Sequence, residues 1–130
     1  MTNEDATPEV LSRVYHALRV PRRRYLIRLL AESGEDTISV RTCARQIAAV
    51  EEQVPPSQAT GEPYRNVYNS LSQTHLETLS DADLIIYDPD RQTISPGPEL
   101  QFAMLILALN HTTYRTLHGQ HSTDGDSLRL

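Results

Sequence analysis

The sequence predicts a mainly α-helical fold with a small β-hairpin, and three observations predict it. Apolar residues recur at three- and four-residue spacing from Val10 to Leu79. Leu84-Ile85-Ile86-Tyr87 and Thr93-Ile94-Ser95 read as two short strands around a turn at 88–92. Pro and Gly fall where these segments meet, at Pro21, Ser33-Gly34, Pro55–Pro63 and Pro96-Gly97-Pro98.

Each element has its own signal. Thr7-Pro8 reads as a hydroxyl cap followed by Pro at the first helical position. Val10, Leu11, Val14, Tyr15 and Leu18 then give a helix over about 8–19. Pro21 opens a second helix with a stripe of Tyr25, Leu26, Leu29 and Leu30, and Gly34 ends it. Thr37-Ile38-Ser39 is a short strand, and Ser39 also caps a third helix over 40–52. The run 55–63 is a loop. A fourth helix runs over 64–79, the hairpin follows, and a last helix occupies about 98–111. Three helices plus a two-stranded hairpin is the winged helix-turn-helix order, here with an extra helix at each end. One domain over 7–111 is expected, with 1–6 and 112–130 as flexible tails.

Composition narrows the function classes. The chain has 130 residues, enough for one modest core. Its longest apolar run, 102–109, is far shorter than a membrane span, and the first 20 residues lack the apolar stretch of a signal peptide. The single Cys43 excludes an internal disulfide and fits a reducing cytoplasm. All 12 basic residues are Arg, against 17 acids, for a net charge of −5. An acidic chain without Lys suits concentrated salt, since Arg is weakly hydrated and pairs well. Net negative charge ordinarily counts against a nucleic-acid partner. At about 1 M salt, however, the Debye length is only about 3 Å, and counterion release contributes little.

A resemblance enters at Thr74–Ile85. His75, Leu76, Leu79, Ala82, Leu84 and Ile85 fall in register with the H-L-x-x-L-x-x-A-G-L-V pattern of winged-helix repressors of the ArsR type. Pro21-Arg22-Arg23-Arg24-Tyr25-Leu26 is similar to the P-x-R-x-x-L opening of such domains. With Asn69–Leu76, the chain resembles a winged-helix family abundant in halophilic archaea over roughly residues 10–96. The pattern's Gly is Asp83 here, a residue that tolerates the left-handed backbone better than most. The resemblance implies a transcription regulator that reads DNA with helix 64–79.

The residues themselves give candidate contacts. Asn66, Ser70, Gln73 and Glu77 share one face of that helix, with Arg65 and Asn69 at its edge. Amide and hydroxyl groups there can read base edges in the major groove, and Asn and Ser are mediocre choices for a merely solvated face. Arg22, Arg23 and Arg24 oppose the dipole at a helix N-terminus. Either they hold DNA phosphates or they pair within the protein. Arg91 is the only base in the hairpin turn, between Asp88 and Asp90, and would be its backbone contact. Arg41 and Arg45 either brace the DNA backbone or are solvated. His75 is either packed or turned to the DNA.

The last helix is apolar all round at 102–109. Phe102, Leu105, Ile106 and Leu109 are expected to form a homodimer interface, because a patch this apolar is rarely left open. His118 and His121 have metal-like spacing without a further ligand nearby. No cofactor, metal or catalytic site is expected. The expected partners are double-stranded DNA and a second copy. The rival reading is a winged helix used for protein–protein interaction.

Overall fold

The structure is a computed structural model and describes residues 3–118, with side chains over 8–110. It is mainly helical, with a small three-stranded antiparallel sheet. The helices are α1 (Asn3–Ala17), α2 (Pro21–Ser33), α3 (Val40–Glu52), α4 (Gly61–Ser70), α5 (Leu76–Asp81) and α6 (Leu100–His118). The strands are β1 (Ile38–Ser39), β2 (Ile85–Asp88) and β3 (Thr93–Pro96).

The sheet is ordered β1-β3-β2. Tyr87 faces Ile94 and Asp88 faces Thr93 across the hairpin, while Ile38 pairs with Ile94 on the other side. Ile94 and Ile85 therefore point into the core, and Ile86 lies 57% exposed. This is the two-residue alternation of a strand with one covered face.

Local chemistry explains the boundaries. Pro21 is preset for the first helical position of α2, and Gly34 closes that helix at φ 72°. Ser39 caps α3 by accepting from the Thr42 N–H at 2.9 Å. α3 then buries Val40, Cys43, Ala44, Ile47 and Ala48, one face at helical spacing. Burial pushes the Cys43 thiol up to about 12, so it stays protonated as an apolar filler. Asp83 takes φ 62°, the left-handed turn that the resemblance assigned to a Gly. Gly97 answers a different demand. A Cβ there would lie 2.5 Å from the Asp83 carbonyl oxygen, so only Gly lets β3 leave past that turn.

Three boundaries differ from the sequence expectation. α1 starts at Asn3, with Pro8 inside it instead of at its first position. A Pro this near a helix start removes one backbone bond and leaves the rest of the ladder intact. α6 continues to His118, so 112–118 is helical; residues 1–2 and 119–130 of the expected tails lie outside the described residues. The expected helix over 64–79 spans 61–81 and is broken in the middle. A π-helical turn, Leu71–His75, joins α4 to α5. Its cause is legible in the core spacing. Leu71 and Leu76 are both fully buried, yet five residues apart, a step that an unbroken α-helix turns about 140° out of phase. The Leu76 N–H reaches back to the Leu71 carbonyl, and the wider turn brings both side chains to the core.

Candidate functional site

The α4–π–α5 run presents one polar side. Val67, Leu71, Leu76 and Leu79 anchor it in the core. Arg65, Asn66, Asn69 and Gln73 are exposed, while Ser70 is half-buried. Glu62 and Glu77 are exposed at the two ends of this face. Its middle is therefore uncharged amide, with one Arg near the start.

An aromatic row braces the same helix from behind. The Arg45 guanidinium lies 5.6 Å from the centre of the Tyr64 ring. Tyr64 and Tyr68 stack at 5.9 Å with a tilt of 48°. The Tyr68 hydroxyl donates to Gln92 Oε1 at 2.6 Å, and Gln92 Nε2 donates to the Tyr87 hydroxyl at 3.0 Å. α3, α4 and the hairpin are thus linked in series, and Arg41 and Arg45 of α3 and Arg65 of α4 are exposed.

The hairpin turn is organised by an acid. Asp88 Oδ1 accepts from the Asp90 and Arg91 N–H groups at 3.0 and 3.2 Å. Arg91 Nε stands 3.9 Å from Asp88 Oδ2, with the arginine side chain 83% exposed. Arg91 is held only loosely and points to solvent. Asp88 belongs to the turn itself.

The Arg22–Arg24 cluster is a correction. None of the three is a free cation. Arg23 is 7% exposed and donates from Nε to His75 Nδ1 at 3.0 Å. Its Nη1 reaches the His16 carbonyl at 3.5 Å, and Arg24 Nη1 donates to the Leu18 carbonyl at 2.7 Å. Those carbonyls lie at the last turn of α1 and just beyond it, where a helix dipole favours cations. The arginines therefore oppose their own helix dipole while completing that of α1. Arg22 forms a two-pronged pair with Glu51 at 2.6 and 2.8 Å. That bond to Glu51 raises the Arg22 pKa further, against the opposing effect of burial.

His75 is the packed histidine of the two readings. Arg23 can only donate, so Nδ1 carries no proton and the imidazole is neutral. Burial, then the charges of Arg23 and Arg22, lower its pKa below the ordinary 6.5. The π-turn is what brings this ring to Arg23.

α6 divides the expected dimer residues. Ile106 is 5% exposed and belongs to the protein's own core, together with Leu100, Ala103 and Leu107. Leu105 and Leu109 are 54% and 55% exposed, and Phe102 is half-buried. One face of the helix packs on α2, and the face carrying Leu105 and Leu109 is open. Among the described residues no three His, Cys, Asp or Glu side chains gather as a metal site; His121 lies outside them. No described helix is long and apolar enough to cross a membrane.

Sequence reasoning missed the Tyr68–Gln92–Tyr87 link. Six Tyr in a chain without Trp were its signal, because a half-buried phenol needs a partner for its hydroxyl. It also missed the Arg23–His75 bond, which no spacing between residues 52 apart announces.

No curated protein and no solved structure matches the chain. One family model does, over residues 15–95, from the end of α1 to β3. The match covers more than half of the chain, which therefore belongs to the family described as Domain of unknown function (DUF7344).

Proposed function

We propose that the chain is a winged helix-turn-helix protein that binds double-stranded DNA as a transcription regulator. In this reading α3 and the α4–π–α5 run form the helix-turn-helix, and β2–β3 is the wing. The observation that carries it is the uncharged amide stripe Asn66, Asn69 and Gln73, exposed on a helix whose opposite side is core. Such side chains read base edges without needing net positive charge. Arg41, Arg45, Arg65 and Arg91 are exposed on α3, α4 and the hairpin turn and would supply phosphate contacts. Arg22, Arg23 and Arg24, by contrast, are engaged within the protein. The Lys-free, acidic composition suits a halophilic cell, where short contacts outweigh long-range attraction.

The open stripe Phe102, Leu105 and Leu109 follows i, i+3, i+7 spacing on α6, and no charged residue interrupts Leu100–Tyr114. A second copy offers the same apolar stripe, and two-fold pairing would suit a two-fold operator.

Fluorescence anisotropy in concentrated KCl, with the DNA upstream of the gene and with selected oligonucleotides, tests the reading. Saturable binding is expected. Gln73→Ala and Asn66→Ala should each lose about 1–3 kcal/mol of discrimination between cognate and altered sites, with the fold intact. Unchanged discrimination overturns base reading by this stripe. Binding to no DNA at all favours a protein-interaction module, which a net charge of −5 also suits. Sedimentation of Leu109→Asp tests the dimer: a monomer is expected, and an unchanged dimer mass refutes the α6 interface.

A further inference from the structure

The hairpin turn and α4 are distant in sequence, yet one side chain holds them together. Gln92 has φ 56°, in the left-handed region where Gly, Asn and Asp are the usual occupants. Its backbone conformation alone gives no reason for a Gln. Its amide does. The Pro89 carbonyl can only accept, so Nε2 is the atom that faces it, at 2.9 Å. The same Nε2 donates to the Tyr87 hydroxyl at 3.0 Å, which leaves Oε1 to accept from the Tyr68 hydroxyl at 2.6 Å. The Gln92 main-chain carbonyl accepts from the Val40 N–H, the first residue of α3, at 2.9 Å. One residue therefore bonds to α3, α4, β2 and the turn at once.

The neighbours in sequence give this link its meaning. Gln92 follows Arg91, the base of the turn, and Tyr68 precedes Asn69 of the amide stripe. We propose that Gln92 is a positioning residue: it fixes the distance and angle between the turn and α4, so that Arg91 and the stripe engage one duplex together. The second half of this statement rests on the DNA-binding reading above; the first half does not. A mobile turn would lose orientational freedom on binding, and a turn already tied to α4 has less to lose.

Two variants separate the link from the backbone. Gln92→Gly keeps a left-handed position without a side chain. Tyr68→Phe keeps the ring against Tyr64 and removes a single bond. Hydrogen exchange in the absence of DNA reads the first half. The Asp90, Arg91 and Val40 amides should exchange about tenfold faster in both variants, with α2 and α6 unchanged. Exchange at wild-type rates in the turn overturns the proposal. DNA affinity reads the second half through a double-mutant cycle. Arg91→Ala should weaken binding in the wild-type background and have little further effect in Gln92→Gly. Fully additive losses overturn the coupling. If the wild type binds no DNA while exchange responds as expected, the DNA reading fails and Gln92 still positions the turn.

Discussion

Two groups of arginines meet opposite fates in this molecule. Arg22, Arg23 and Arg24 form the densest basic cluster in the sequence, and the fold consumes all three. Arg41, Arg45, Arg65 and Arg91 are scattered over three elements, and all four side chains are exposed. Density along the chain is therefore a poor guide to which cations are free. A helix N-terminus beside the C-terminus of another helix brings arginines to the carbonyls at that end, where the dipole favours cations. The scattered set is placed differently. Among the described residues their close partners are the Tyr64 ring for Arg45 and a loose Asp88 contact for Arg91.

The sharpest way to break this contrast is to remove one member of each group. Arg23→Ala strips His75 of its donor and leaves a space beneath the π-turn. A loss of about 2–3 kcal/mol is expected in urea unfolding, from the bonds of a buried charged group and its packed stem. Arg65→Ala should change stability by less than about 0.5 kcal/mol, as an exposed site on α4. The contrast fails if the two variants unfold at the same urea concentration.

The sequence announced the scattered group and the fold around it better than it announced the consumed group. Core positions such as Val14, Leu26, Ile47 and Leu79 follow from three- and four-residue spacing. Ser39, Gly34 and Asp83 mark turns by their own backbone chemistry. The Arg23–His75 bond depends on how two remote helices cross and on the extra residue of the π-turn, and neither is encoded locally. That turn did leave one trace, the five-residue step from Leu71 to Leu76. The orientation of Ile106 was hidden for a related reason: on a helix apolar all round, only the packing against α2 distinguishes inside from outside.

A smaller effect tests the His75 end of the consumed group. The folded state lowers the His75 pKa below 6.5, so the unfolded chain binds its proton first as pH falls. The stability this ring contributes is therefore complete above 6.5, declines below it, and levels off beneath the folded value. His75→Asn keeps an acceptor for Arg23 and removes the titration. The melting temperature of the wild type should fall more steeply between about pH 7.5 and about pH 5 than that of the variant. Parallel curves would mean that burial and the neighbouring arginines do not lower the His75 pKa in the folded protein.

The smallest expected effect concerns Arg22. Its side chain and that of Glu51 are 28% and 31% exposed, so solvent screens much of their attraction. A double-mutant cycle of Arg22→Gln and Glu51→Gln should give a coupling of about 0.5–1 kcal/mol. Its salt dependence is the informative part. The two contacts lie at 2.6 and 2.8 Å, leaving no room for an ion between them. A Debye length of about 3 Å at 1 M salt therefore screens this pair far less than charges further apart. At least half of the coupling should survive from about 0.1 M to about 1 M KCl. If it vanishes, Arg22 is released in the very conditions the composition suits. It would then rejoin the free arginines, and the boundary between the two groups would depend on salt rather than on the fold.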